Sequence, residues 1–252
     1  MEYVQNIQKF RLSIPVERRP TWFKTTTITM TAKSGTTIDP DIMRNVFYKI
    51  GQIPVYFKGR KTPFMWRLFH SDFYNQVSIG YTDQLSTKKV KIFPNGSLQI
   101  AGCADIDDCK RFTQQLKYLL KLVYKIDISC DFTIVMYNGY FSLNNTVNVY
   151  NLIDTLNRKG IKFNYDPDRY AAVKVKFDKV TVSIFVSGSV LVTGTKSFQE
   201  ALNVYKKIVT TVLDTPDVFM ERNDMSSKFD TFLGYRIEQW VQKDVPTHCV
   251  VP

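Results

Sequence analysis

Histidine is nearly missing from this chain of 252 residues: only His70 and His248 occur, and the four cysteines, Cys103, Cys109, Cys130 and Cys249, form no C-x-x-C pair. A zinc site therefore has poor material, and the cysteines read as reduced thiols. No apolar run approaches the length of a transmembrane helix, and the start MEYVQNIQKFRLS lacks the apolar core of a secretion signal. The expectation is a soluble, intracellular protein without metal, cofactor or membrane-spanning segment. Glycine is missing where phosphate chemistry would need it. Gly59-Arg-Lys-Thr62 looks like the end of a phosphate-binding loop, yet no glycine precedes it at the required spacing. No Ser/His or Cys/His arrangement has usable spacing. The cluster Asp105, Asp107 and Asp108 reads as a complement to the positive end of the helix that follows, not as a magnesium or acid/base site. An enzyme has no positive support.

What the chain does have is positive charge. With 34 Lys+Arg against 23 Asp+Glu, its formal charge is +11 and its pI about 9.4. Such a balance favours a polyanionic partner, either nucleic acid or an acidic membrane surface. Hydrophobic residues at 44% can fill a sizeable core, and the length allows one large domain or two smaller ones.

The chain also repeats itself. FPNGSLQIAGCAD (Phe93 to Asp105) and FVSGSVLVTGTKS (Phe185 to Ser197) are the same hairpin written twice, each leading into a helix. TITMTA (Thr27 to Ala32) and TIVMYN (Thr133 to Asn138) open the two halves as strands. In them Ile28, Met30, Ile134 and Met136 share one face, and Thr27, Thr29, Thr133 and Val135 the other. Helical stretches start at Asp39 and Asn148, the second closing on Gly160. Short strands near Ile53 to Phe57 and Ile161 to Tyr165 precede longer ones, FYNQVSIGY (Phe73 to Tyr81) and RYAAVKVKF (Arg169 to Phe177). Each half ends in an amphipathic helix, striped by Cys109, Phe112, Leu116, Leu119 and Val123 in one, and by Ala201, Val204, Tyr205, Ile208 and Val212 in the other. The expected class is α+β, with one antiparallel sheet built from both halves, helices on one face and the opposite face open.

Period-two parity assigns the residues of that open face. It puts Ala171, Val173, Val175 and Phe177 under the helices and turns Tyr170, Ala172, Lys174 and Lys176 outward, joined by Thr181, Ser183, Phe185, Ser189, Leu191 and Thr193. In the first half it exposes Tyr74, Gln76, Ser78, Lys89, Lys91, Phe93, Ser97, Gln99 and Ala101. The resulting face is aromatic, small and basic.

These residues resemble the TATA-binding protein family. YDPDRYAAVKV (Tyr165 to Val175) is similar to the family's stirrup and third strand, with Tyr170 where a wedge phenylalanine normally stands. IFVSGSVLVTGTKS (Ile184 to Ser197) resembles its last hairpin, with Phe185 at the partner wedge, and KIFPNGSLQIAG (Lys91 to Gly102) is the first-half counterpart carrying Phe93. Tyr74 would complete that pair. The resemblance runs over roughly residues 21–213 and is strongest in the second half.

The resemblance implies a pseudo-twofold saddle, one curved antiparallel sheet from two repeats with helices on its convex face. It divides the chain into an N-terminal arm (1–20), two saddle repeats (21–125 and 126–222) and a C-terminal extension (223–252). It further implies a transcription initiation factor, monomeric on DNA, that binds the minor groove, bends the duplex and nucleates promoter complexes. Tyr74, Phe93, Tyr170 and Phe185 would be wedges, and Lys89, Lys91, Lys174 and Lys176 would meet phosphates. Thr27, Thr29, Thr133, Val135, Gln99, Ala101, Leu191 and Thr193 would face the base edges. Asp166 and Asp168 lie where the family presents acidic residues to transcription factor IIB, which implies a IIB-like partner and the RNA polymerase machinery.

The chain departs from the family at several places. Thr27 and Thr133 stand for its paired asparagines, Gln99 replaces a small apolar residue, and the loop KGRKTPFMWRLFHSD (58–72) exceeds its first stirrup. In this divergence the chain resembles the TATA-binding-protein-like factors of large DNA viruses, which implies action in the nucleus or a cytoplasmic viral factory, or packaging in the virion. Two rival readings remain: a protein-interaction saddle that sequesters transcription components, and an accessory domain of nucleic-acid processing, for which little chain is left.

Overall fold

The computed structural model describes residues 2–51, 55–57, 60–62, 66–69, 73–82, 86–124 and 132–222, with the short strands 231–232, 235–236 and 250–251. In chain order the elements are α1 (Glu2–Leu12), β1 (Lys24–Lys33), α2 (Pro40–Gly51), β2 (Val55–Phe57), β3 (Arg60–Thr62), β4 (Trp66–Phe69), β5 (Val77–Thr82), β6 (Thr87–Ile92), β7 (Ser97–Cys103) and α3 (Ile106–Tyr124). They continue with β8 (Phe132–Ser142), β9 (Asn145–Val147), α4 (Val149–Arg158), β10 (Phe163–Asp166), β11 (Tyr170–Phe177), β12 (Val180–Phe185), β13 (Ser189–Thr195), α5 (Phe198–Leu213) and β14 (Phe219–Arg222). The chain divides into two compact units, Thr27–Val135 with His248–Pro252 and Met1–Thr26 with Met136–Thr247. We call them the first-repeat and second-repeat units.

In the first-repeat unit the strands run antiparallel in the order β1-β7-β6-β5-β4. Alternation decides which way each side chain goes. On β6, Val90 and Ile92 are buried while Lys89 and Lys91 are exposed, and on β7 Leu98 and Ile100 are buried while Gln99 is exposed. The buried set meets α2 and α3. Trp66 lies 5.8 Å from Phe47 and 4.7 Å from Tyr81, and Tyr81 lies 5.2 Å from Phe112. Along α3 the stripe of Cys109, Phe112, Leu116 and Leu119 is buried as its spacing predicts, and the side chain of Val123 lies outside the described residues.

The acidic cluster before α3 has a structural use. The Asp105 carboxylate accepts from the Asp108 N–H at 2.7 Å, capping the helix, and burial pushes the Asp105 carboxyl above its ordinary range. Asp108 is itself buried, paired with the buried Lys88 ammonium at 2.7 Å and with Arg111, and it accepts from the Ala104 N–H at 2.9 Å. Cys103 and Cys109 are buried free thiols. The hydrogen bond between them, and then burial, push the Cys109 thiol up.

One strand differs from expectation. Val55–Phe57 pairs with Arg60–Thr62 in a separate hairpin, and the strand beside β5 is β4, which lies inside the segment read as a long stirrup loop. Trp-Arg-Leu-Phe alternates correctly, but a strand with only two core side chains is too short to stand out beside an aromatic-rich insertion.

The second-repeat unit repeats the pattern as β10-β11-β12-β13-β8. Val173, Val175, Val182, Ile184, Val190 and Val192 are fully buried on the helix-covered face, where Phe141 meets Tyr205 at 4.6 Å and Tyr137 meets Phe198 at 4.3 Å. The Asn148 side chain caps α4 by accepting from the N–H groups of Tyr150 and Asn151, and Gly160 closes it with φ +63°. Ser197 caps α5 by accepting from the Glu200 N–H, while the Glu200 carboxylate accepts from the Lys196 N–H at 2.6 Å.

The N-terminal segment is fastened to this unit. Helix α1 packs on α5 and buries Ile7, and the Arg11 guanidinium donates to the Pro20 carbonyl at 2.8 Å while lying over the Trp22 ring. The Thr21 N–H donates to the Ser142 carbonyl at 2.8 Å, and the buried Tyr205 hydroxyl donates to the Thr21 carbonyl at 2.8 Å. Burial pushes the Tyr205 phenol up, so it stays a donor.

The duplication extends to the geometry of its turns. The Gly96 N–H donates to the Phe93 carbonyl at 2.9 Å with φ +76°, and the Gly188 N–H donates to the Phe185 carbonyl at 2.9 Å with φ +78°. At both positions a Cβ would run into backbone, which is why glycine recurs.

Candidate nucleic-acid interface

In each unit the residues opposite the helix-covered face form cross-strand rows fixed by register. In the first-repeat unit one row is Ser78, Lys91, Gln99 and Thr31, and the next is Gly80, Lys89, Ala101 and Thr29. In the second-repeat unit Lys174, Ser183, Leu191 and Tyr140 make one row, and Lys176, Thr181 and Thr193 another. Each row sets a cation among small or polar groups, and Ala101 and Leu191 add apolar surface to one row in each unit.

The second-repeat unit carries the better-formed aromatic site. Tyr170 and Phe185 lie with centroids 5.7 Å apart in an edge-on arrangement, and the Lys174 ammonium sits 4.0 Å above the Tyr170 ring. Ala172, expected on the outer face, is in register with Phe185 but only 1% exposed, because so small a side chain is covered by the two rings beside it. Ala171, expected under the helices, is exposed; it lies one residue into β11 from the turn. Lys176 donates to the Thr181 hydroxyl at 2.6 Å, while Thr193 is exposed and Leu191 half-buried.

The first-repeat unit is arranged differently. Phe93 is half-buried and, with Thr31, Lys33, Ser97, Gln99 and Thr133, lines an open groove of about 600 Å³. That groove brings Thr133 together with Phe93 and Gln99, from which it lies far apart in sequence. Tyr74 stands apart, 88% exposed in the turn before β5, with its backbone held by the Arg44 guanidinium, which donates to the Tyr74 carbonyl at 2.6 Å. Thr27 is half-buried and Val135 exposed, whereas Thr29 is only 3% exposed despite its outward register. Ala101 is half-buried, Lys89 and Lys91 are exposed. Asp166 ends β10 and pairs with Arg169 at 3.4 Å, and Asp168 lies exposed in the β10–β11 turn.

Two outward groups went unread in the sequence. Tyr140 on β8 shares the row of Leu191, its hydroxyl 3.0 Å from that of Ser189. Phe69 and Arg67 on β4 lie opposite the core-facing Trp66 and Leu68, a placement that the alternation in Trp-Arg-Leu-Phe encodes once the segment is read as a strand. Among the described residues no group of three or more His, Cys, Asp or Glu could hold a metal ion.

Comparison with known proteins shows what this twice-written antiparallel sheet, with helices on one face and a basic, aromatic opposite face, is similar to. Residues 131–215 match the family described as transcription factor TFIID, or TATA-binding protein. A TATA-box-binding protein-like protein of Acanthamoeba polyphaga mimivirus is 29% identical over 230 residues, covering 72% of this chain and 62% of that protein. A TATA-box-binding protein of Thermococcus kodakarensis is 25% identical over 123 residues, covering 47% of this chain and 62% of its own length. The chain thus spans 62% of the length of each of these curated relatives. The solved Methanococcus jannaschii TBP shares the fold, with a TM-score of 0.54 at 19% identity over 77% of this chain and 98% of that one. The chain is thus similar to TATA-binding proteins, a viral one among them, and its second repeat matches the family model.

Proposed function

We propose that the chain is a DNA-binding transcription initiation factor that selects its site in the minor groove, bends the duplex and nucleates a promoter complex without catalysing a reaction. The observation that carries this reading is the pre-packed pair Tyr170 and Phe185 with Lys174 above it, on a face whose rows alternate cations with small and apolar groups. Such rings act as wedges. Inserting them between base steps costs a few kcal/mol per step, offset by the larger protein surface that a bent duplex can contact, behaviour for which TATA-binding protein is itself a type case. The lysines neutralise phosphates, and the apolar and small groups favour A·T pairs by rejecting the guanine amino group.

End-to-end fluorescence transfer on a doubly labelled duplex tests this. Phe185→Ala should reduce bending more than it reduces loose, charge-driven binding; an unchanged bend in both Phe185→Ala and Tyr170→Ala sinks the reading. The similarity to a mimivirus protein supports action in the nucleus or in a viral factory of an infected cell. Immunolabelling of infected cells checks that location, and label confined to the cytosol outside factories would refute it.

A further inference from the structure

The two units carry their cations on different strands, and the difference is explained by one aromatic ring. Phe93 and Phe185 head equivalent turns, so register makes Val77 the counterpart of Val173, Ser78 of Lys174 and Gly80 of Lys176. On the neighbouring edge strands Phe69 pairs with Ser78 as Asn164 pairs with Lys174, which makes Phe69 the counterpart of Asn164. The second-repeat unit therefore puts lysines on β11 and a small polar residue on its edge strand. The first-repeat unit puts its lysines on β6, one strand spacing of about 4.8 Å inward, and places a ring on its edge strand.

That ring lies along the sheet instead of standing out from it. A Cβ built on Gly80 would come within 2.6 Å of Phe69 Cε2, so the missing side chain at Gly80 is the space the ring fills. The Lys89 ammonium lies 5.5 Å from its centroid and the Arg67 guanidinium 5.6 Å. Phe69 is half-buried, whereas Arg67 and Lys89 are exposed. A ring in this position cannot be driven between base pairs as a wedge is, but it offers an apolar surface flanked by two cations.

Resting on the function proposed above, we infer that Phe69, Arg67 and Lys89 form a contact site for the sugar–phosphate backbone of duplex DNA: the ring takes a deoxyribose and the two cations take its adjoining phosphates. Charge complementarity and the alternation of apolar and cationic groups match the repeat of a nucleic-acid strand. The second-repeat unit, with Asn164 in the place of Phe69 and Thr181 in the place of Lys89, has no such ring, so the contact marks one end of the bound site only.

Hydroxyl-radical footprinting of the full chain on an end-labelled, asymmetric duplex reads deoxyribose burial directly. Phe69→Ala should lose protection of sugars at one end of the footprint while the opposite end stays protected. Gly80→Ala should do the same without touching Phe69, because its Cβ displaces the ring. Arg67→Gln should lower the slope of log affinity against log salt by about 0.9. Footprints that stay unchanged in both Phe69→Ala and Gly80→Ala overturn this inference alone. Failure of the wild type to retain any duplex at low salt overturns the proposed function with it.

Discussion

Lys174 and Lys176 point from one strand to the same face, yet they differ in what else they touch, and that difference can be measured. The Lys176 ammonium is held by the Thr181 hydroxyl, a neutral partner, whereas the Lys174 ammonium sits over the Tyr170 ring that the proposed function treats as a wedge. Replacing either by alanine removes one phosphate contact. Each should lower the slope of log affinity against log salt by about 0.9, so that between 50 and 200 mM salt each wild-type contact costs about 3.5-fold more affinity than the variant loses. Lys174→Ala should lose something further. A cation over an exposed ring is worth about 0.5–1 kcal/mol, or about two- to fivefold, and this part does not vary with salt because it orients Tyr170 within the protein. Fluorescence anisotropy of a labelled duplex across a salt series separates the two: parallel lines of reduced slope, with the Lys174→Ala line lower at every salt and its duplex less bent. Two unchanged slopes would mean that both lysines are merely solvated, and coincident lines would refute the orienting role of Lys174.

Further outcomes follow from other contacts. Gln99, exposed in the Phe93 groove, can accept from the guanine amino group or donate to base acceptors, which its counterpart Leu191 cannot, so selection from random duplexes should return an asymmetric site that becomes more symmetric in Gln99→Val. A symmetric all-A·T site, unchanged in the variant, would defeat this. Reversing the charges of Asp166 and Asp168 should weaken a IIB-like partner in pull-down while leaving duplex binding intact; loss of both together would count against a partner site there. Lys88→Met leaves the buried Asp108 with Arg111, Ser86 and the Ala104 N–H as remaining partners, so urea unfolding should show a loss of about 3 kcal/mol, the low end for a broken buried pair. A loss under about 1 kcal/mol would show that Lys88 compensates little of the Asp108 charge.

Much of the fold was legible because the strands have one buried face. Val90 and Ile92, or Val173 and Val175, alternate with lysines so regularly that period two alone assigns their faces. The repeated Phe-x-x-Gly turn was legible for a different reason, since a positive φ over close backbone leaves glycine little competition. Reading failed where the signal is short or non-local. The four residues of β4 offered too few alternations to separate them from a loop, so Arg67 and Phe69 stayed hidden. Ala172 faces outward by parity but is covered by rings from its own and the neighbouring strand, and Thr29 likewise has outward register with almost no exposure. Parity gives direction; burial depends on the size of the neighbours.

The strap formed by α1 and residues 20–23 has a consequence for the order in which the protein comes to exist on the ribosome. Its partners are β8 and α5, so Thr21 packs against Tyr205, which is made 184 residues later. Residues 27–135 lie between them and form a unit of their own, continuous but for the terminal 248–252. At about 5–20 residues per second, the N-terminal segment waits about 10–40 s for α5 to emerge, with Ile7, Ile14 and Trp22 uncovered meanwhile. During that interval the residues of the first-repeat unit can fold, and the strap closes only once α5 has been made.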